Sequence, residues 1–110
     1  MDEGAPLEIS VGVLAQWRGE RHAVAVLDVR EPWEVELCSL PDSIAIPLAS
    51  LPGLVETLPR DVPLVVLCHH GMRSGRAVAW LRANGFDNAT NLEGGIDAWA
   101  RFVDRGMRTY

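Results

Sequence analysis

Apolar residues in this chain form short continuous runs, separated by stretches in which they recur at helical spacing. The two strongest runs, residues 23–27 and Leu64–Leu67, contain only apolar residues. Such runs are typical of strands that are covered on both faces, as in parallel sheets. Two shorter segments, residues 44–46 and Ala89–Leu92, are predicted to add two further strands.

The stretches between these runs are predicted to be helical. The helices cover residues 11–17, 32–37, 51–58, 74–84 and 96–103. Ser10 is suited to cap the first helix, and Pro32 to open the second. Gly85 suits the left-handed position after the fourth helix, with Phe86 packing back on its last turn. Alternating strands and helices predict an α/β fold with a mostly parallel sheet, helices on both faces, and ligands bound beyond the carboxyl ends of the strands.

The composition agrees with one globular domain. The chain has 110 residues, of which 48% are hydrophobic and 23% are charged, close to average globular usage. A wholly disordered chain, a collagen and a disulfide scaffold are excluded, and no apolar run approaches the roughly 18 residues of a membrane span. We expect a single domain over residues 1–110 with its core at about 9–103, a loose N-terminus at 1–7 and a C-terminal tail at 105–110.

The net charge of the chain limits the classes of molecule that it is expected to bind. The net charge is −5, and all 10 basic residues are arginine, which argues against general binding of nucleic acid or anionic membranes and removes lysine chemistry. The acidic first residues show no signal peptide, and Cys38 and Cys68 form no CxxC pair. We therefore expect a cytoplasmic protein without a zinc ribbon or a thioredoxin-type dithiol.

The segment that follows Leu64–Leu67 carries the candidate chemistry. A buried strand brings Cys68 to its carboxyl end, a short loop with Gly71 follows, and a helix begins near Ser74. Loop N–H groups, the helix N-terminus and the Arg73 guanidinium all favour a thiolate, which is the reactive form of cysteine. The alternative is that Cys68 is a small buried hydrophobe.

Other candidates near this loop have two interpretations each. His69 and His70 are general bases or solvated loop residues, and a metal site with Cys68 fits zinc spacing poorly, so no metal is predicted. Asp28 and Arg30, just past a strand end, either shape the site or form a structural ion pair.

The sequence also leaves the role of three further features undecided. Cys38 is a resolving thiol or a packing residue, and the pair Gly94 and Gly95 binds phosphate or forms a tight turn. Trp33 is a candidate for the rim of the pocket.

Four segments together resemble a known family. They are Leu27-Asp28-Val29-Arg30-Glu31-Pro32-Trp33-Glu34, Ile44-Ala45-Ile46-Pro47-Leu48, Cys68-His69-His70-Gly71-Met72-Arg73-Ser74 and Asn91-Leu92-Glu93-Gly94-Gly95-Ile96-Asp97-Ala98-Trp99. In this order and spacing, they are similar to the motifs of single-domain rhodaneses, which are sulfurtransferases, and the resemblance runs from about residue 9 to 103. Residues 38–43 replace the Gly-His-Ile-like turn of many rhodaneses, so no role can be carried over for its histidine.

The resemblance implies a central five-stranded sheet and a specific reaction. Cys68 would take a sulfane sulfur from thiosulfate or a similar small anionic donor as a persulfide, and pass it to cyanide or a thiol, such as that of a thioredoxin-like protein. The loop residues that would bind the sulfur are His69, His70, Gly71, Met72 and Arg73, with Arg73 on the anionic donor, and Ser74 would help to shape the site. No cofactor is implied, and we expect a monomer or weak homodimer.

Loop length separates this reaction from that of related phosphatases and arsenate reductases, which use Cys-x5-Arg. Here four residues separate Cys68 from Arg73, which gives room for one extra sulfur but not for a tetrahedral oxyanion. The alternative function, from a different class, is a non-catalytic or redox-regulated protein-binding module.

Overall fold

The computed structural model describes residues 6–110, and within them five parallel strands form one sheet. The strands are β1 (Glu8–Ile9), β2 (Ala25–Asp28), β3 (Ile44–Ala45), β4 (Leu64–Leu67) and β5 (Ala89–Leu92). Their order across the sheet is β1-β5-β4-β2-β3. The predicted α/β fold is therefore confirmed.

Five α-helices accompany the sheet in the described part of the chain. They are α1 (Val11–Gly19), α2 (Pro32–Leu37), α3 (Leu51–Leu54), α4 (Met72–Ala83) and α5 (Gly95–Phe102), with short 3-10 turns at Leu48–Ser50 and Val55–Thr57. Helices α3 and α4 pack on one face of the sheet, and α1 and α5 pack on the other. Within residues 6–110, none of these helices combines the length and apolar character needed to cross a bilayer.

Strand β4 shows why its sequence is continuously apolar. Leu64 and Val66 point into the core beneath α4, whereas Val65 and Leu67 point into the core beneath α1 and α5. All four side chains are fully buried. Cys68 follows directly, so the loop after β4 begins at the carboxyl edge of an inner strand.

Several element boundaries differ from the predictions. The resemblance implied five strands, but local patterns did not locate β1, because its two residues carry no periodicity and it is defined by parallel pairing with β5. Helix α4 begins two residues earlier than predicted, at Met72, since Gly71 precedes it with a φ of 109°. The helix predicted over residues 51–58 is a short α-helix between two 3-10 turns. Gly85 has the predicted left-handed conformation, with a φ of 93°.

Both ends of the described chain contact the core of the domain. Residues 1–5 of the expected loose N-terminus lie outside the described residues, and the backbone carbonyl of Leu7 accepts a hydrogen bond from Asn91. Within the expected tail at 105–110, the side chains of Met107 and Tyr110 pack against the α1–α5 core. This packing places Tyr110 beside the loop after β4.

The start of α5 fixes the position of that loop. The N–H groups of Ile96 and Asp97 donate to the carbonyl oxygens of Cys68 and His69, at 2.9 Å and 3.1 Å. Gly95 lies beneath these carbonyls with a φ of 60°, and a Cβ there would come closer than 3 Å to both oxygens. The two glycines before α5 therefore form a tight turn that lets one backbone approach another.

We predict that Gly95→Ala destabilises the protein by roughly 1 to 3 kcal/mol or more, since a left-handed alanine is strained and its Cβ collides with the loop carbonyls. Urea denaturation followed by tryptophan fluorescence measures the change. Gly53→Ala is the matched control, because Gly53 is exposed in α3 and a Cβ there meets nothing within 4 Å. Equal stability of the two variants would contradict this account of Gly95.

Candidate active site

The sulfur of Cys68 is held by hydrogen-bond donors of the loop and of helix α4. The N–H of Gly71 donates to Sγ at 3.1 Å, and the N–H and hydroxyl of Ser74 each approach it at 3.4 Å. The residue itself is only 1% exposed. Because these donors converge on one atom at a helix N-terminus, the site favours a negative charge on the sulfur.

The pKa of Cys68 reflects two opposing effects. Burial raises the pKa of the thiol, whereas hydrogen bonds lower it, first from the Ser74 hydroxyl and then from loop N–H groups, including that of Arg73. The net result is a pKa below the usual range of cysteine. A lowered pKa is what a nucleophilic or sulfur-carrying cysteine requires at neutral pH.

A series of hydrogen bonds leads from Ser74 through Asn91 of β5 to Glu8 of β1. The Ser74 hydroxyl lies 2.5 Å from Oδ1 of Asn91, and Nδ2 of Asn91 donates to the Gly71 carbonyl and to Glu8, each at 3.2 Å. These contacts fix which way the buried Asn91 amide faces. The Ser74 hydroxyl has one proton, so it can donate to Asn91 or to the Cys68 sulfur, but not to both.

Arg73 forms an ion pair in this structure. Its Nη1 and Nη2 donate to the two carboxylate oxygens of Glu34, at 2.7 Å and 2.8 Å. Hydrogen bonds from Arg73 lower the pKa of the buried Glu34 to about 2. The ion pair uses two of the five N–H donors of the guanidinium, and one third of the Arg73 side chain is exposed.

Asp28 and Arg30 form the structural ion pair that was one of their two interpretations. Both are fully buried, and Nη2 of Arg30 lies 2.7 Å from Oδ2 of Asp28. Arg30 also donates to the backbone carbonyls of Glu34 and Cys38, at 3.1 Å and 2.7 Å. The pair therefore ties the end of β2 to helix α2 and the residue after it.

His69 and His70 are the first two residues of the loop after Cys68, and their rings are stacked. The ring centroids of His69 and His70 are 3.9 Å apart, and Nε2 of His69 is buried without a hydrogen-bond partner among residues 6–110. His69, His70 and Asp97 each place one ligand atom within 4.8 Å of the others. The Asp97 carboxylate lies 3.8 Å from Nε2 of His70 and pairs with Arg101 at 2.9 Å.

The remaining candidates lie around the same edge. Trp33 and Met72 are 60% and 72% exposed, which places two apolar side chains at the surface next to the loop. Cys38 is a free, half-buried thiol whose sulfur lies 3.9 Å from Nη1 of Arg30.

Sequence patterns did not assign a functional role to three residues of this site. Glu34 and Asn91 stood in recognised segments, but their partners Arg73 and Ser74 are 39 and 17 positions away. Tyr110 lies outside every segment, and its only signal is an aromatic residue in a polar stretch.

We predict that Ser74→Ala shifts the pH profile of Cys68 alkylation to higher pH. A hydrogen bond to a charged group is worth about 1.5 to 3 kcal/mol, so the rate at neutral pH should fall roughly tenfold. Iodoacetamide labelling, followed on the Cys68 peptide by mass spectrometry, gives the profile. Ser50→Ala, at an exposed serine away from the loop, should leave it unchanged, and an unshifted profile for Ser74→Ala would show that the hydroxyl does not support the thiolate.

Comparison with known proteins agrees with this geometry. The family model described as a rhodanese-like domain matches residues 10–102. A sulfurtransferase of Allochromatium vinosum is 35% identical over 94 residues, which cover 86% of this chain and 88% of the relative. The thiosulfate sulfurtransferase GlpE of Pseudomonas syringae pv. syringae is 38% identical over 85 residues, with 77% and 79% covered.

Solved structures show the same relationship. The crystal structure of a rhodanese-related protein from Thermoplasma volcanium superposes with a TM-score of 0.80 at 38% identity, covering 87% of this chain and 92% of the other. The resemblance based on the four sequence segments is thereby confirmed. The chain belongs to the family of rhodanese-like domains.

Proposed function

We propose that this protein is a sulfurtransferase that carries a sulfane sulfur as a persulfide on Cys68. The observation that carries the proposal is the convergence of the Gly71 and Ser74 donors on Sγ of Cys68, which lowers the pKa of that thiol. The names of the single-domain relatives from Allochromatium vinosum and Pseudomonas syringae support sulfur transfer as the reaction class.

The first step loads the sulfur. The Cys68 thiolate attacks the outer sulfur of thiosulfate or a similar anionic donor, and a new S–S bond forms. The S–S bond of thiosulfate breaks, and sulfite leaves with its electron pair. The negative charge that began on Sγ is then on the terminal sulfur of the persulfide, where the N–H groups of the loop and of the first turn of α4 can stabilise it.

The second step returns the enzyme to its starting state. A thiolate or cyanide attacks the terminal sulfur, the bond to Sγ breaks, and the Cys68 thiolate leaves with the electron pair. A low thiol pKa assists this step because it makes Cys68 a better leaving group. Protein thiols and small thiols both fit this chemistry as acceptors, and we propose a thioredoxin-like protein as one of them.

The size of the loop supports sulfur over phosphate as the transferred group. With four residues between Cys68 and Arg73, the donors lie close around one atom, as their distances of 3.1 to 3.4 Å from Sγ indicate. One further sulfur needs less room than a tetrahedral oxyanion with donors on every side.

Arg73 is proposed to attract the anionic donor to the mouth of the site. Its charge is partly neutralised by Glu34, but three of its N–H donors are not used in that ion pair. The ion pair also orients the guanidinium, so Glu34 has the role of positioning Arg73. The N–H groups of the loop then bind the charge that moves to the outer sulfur.

We expect incubation with thiosulfate to increase the intact mass by one sulfur atom, and subsequent cyanide to remove it as thiocyanate. Cys68→Ala should abolish the gain, whereas Cys38→Ala should retain it, because only Cys68 lies among the donors. Intact-protein mass spectrometry and thiocyanate colorimetry measure the two steps. A protein that gains no sulfur from thiosulfate or from an organic persulfide, while binding a partner protein tightly, would instead be a binding module.

We predict that Arg73→Ala raises the KM for thiosulfate roughly tenfold, because a charge-assisted contact is lost and the Glu34 carboxylate is left facing the site. With a neutral organic trisulfide as donor, the change should be much smaller. Arg76→Ala is the matched control, since Arg76 is exposed one turn further along α4. The double variant Arg73→Ala/Glu34→Gln separates the lost cation from the exposed anion, and an equal loss with both donors would contradict an anion-attracting role.

A further inference from the structure

Tyr110 packs directly on the loop that holds Cys68. Its ring lies parallel to that of His69, with centroids 4.0 Å apart and 9° between the planes. His70 stacks on His69 at 3.9 Å. Two rings at these spacings cannot share one face of an imidazole, so His69 is held between Tyr110 and His70.

The Tyr110 hydroxyl reaches a second part of the site. It accepts a hydrogen bond from Nη1 of Arg30 at 3.0 Å and donates one to Oε2 of Glu34 at 2.7 Å. Burial raises the pKa of Tyr110 to about 12, so the hydroxyl keeps the proton that it donates to Glu34 at neutral pH.

These contacts join two ion pairs that the sequence places apart. Arg30 belongs to the buried pair with Asp28, and Glu34 belongs to the pair with Arg73 at the mouth of the site. The Tyr110 hydroxyl lies between them and shares Oε2 of Glu34 with Nη2 of Arg73. The carboxylate of Glu34 also accepts a hydrogen bond from the Glu31 N–H at 3.0 Å, so three groups hold it. Its orientation sets that of the Arg73 guanidinium.

We propose that Tyr110 is a positioning residue of the active site, which holds the His69 ring by stacking and the Glu34 carboxylate by its hydroxyl. It acts through these two residues on the loop backbone beside Cys68 and on the direction of Arg73. The consequence for turnover rests on the proposed sulfur transfer, whereas the consequence for the loop does not.

Two variants of Tyr110 distinguish the contribution of its ring from that of its hydroxyl. Tyr110→Ala removes both, and we expect the KM for thiosulfate to rise roughly three- to tenfold with a smaller change in kcat, as for the loss of a stacked ring with its polar contact. Tyr110→Phe keeps the stacking on His69 and removes only the hydroxyl, so its KM should lie between those of the wild type and the alanine variant. Phe102→Ala is the control, because Phe102 is a 70% exposed aromatic residue of α5.

Amide hydrogen exchange gives a readout that does not require activity. In Tyr110→Ala, the amides of residues 69–74 should exchange several-fold faster than in the wild type, whereas those of β4 should be unchanged. Tyr110→Phe should leave the exchange of 69–74 close to wild type, because the stacked ring remains.

The outcomes distinguish this proposal from the proposed function. Wild-type exchange at residues 69–74 together with a wild-type KM in Tyr110→Ala would overturn it. Equal acceleration at residues 69–74 and in β4 would also overturn it, since Tyr110 would then be a general packing residue. If the wild type accepts no sulfur from any donor while residues 69–74 still respond selectively, sulfur transfer fails as the function and the positioning of the loop by Tyr110 stands.

Discussion

The site depends on keeping a negative charge on a sulfur atom that is almost completely buried. Burial by itself opposes that charge, because a low-dielectric surrounding disfavours the thiolate. Donors from Gly71 and Ser74 outweigh this effect, as the lowered pKa of Cys68 shows. Two features of the backbone place those donors: the φ of 109° at Gly71 turns its N–H inward, and helix α4 begins directly after it.

The loop is held from three directions, each from a different part of the chain. From one side, the first turn of α5 binds the carbonyl oxygens of Cys68 and His69, which requires a glycine at 95. From β5, Asn91 binds the carbonyl of Gly71 and the hydroxyl of Ser74. From the C-terminal segment, Tyr110 packs on His69. The loop of residues 68–73 is thereby held by contacts from three separate parts of the chain.

Local sequence patterns predicted two kinds of element. These are the strands that consist of a continuous apolar run and the helices whose apolar residues recur at helical spacing. Strands β2 and β4, the position of Cys68 and the left-handed Gly85 all follow from local patterns. Strand β1 and the residues Glu34, Asn91 and Tyr110 do not, because each is defined by a partner far away in the chain. The partner of Glu34 is 39 positions distant, and those of Tyr110 are 76 and 80 positions distant. Local spacing predicts where a helix or strand lies, but it does not say which polar side chains meet across the sheet edge.

The single proton of the Ser74 hydroxyl has a consequence for the proposed sulfur transfer. In the proposed transfer, the Ser74 hydroxyl gains most by turning to Sγ while the charge is on that atom. Once an added sulfur carries the charge further out, the hydroxyl would gain more by turning to Asn91, whose oxygen lies 2.5 Å away. The reorientation needs only rotation of one hydrogen about the C–O bond, with no heavy atom displaced. One hydroxyl could therefore stabilise the proposed carrier both before and after it receives its sulfur.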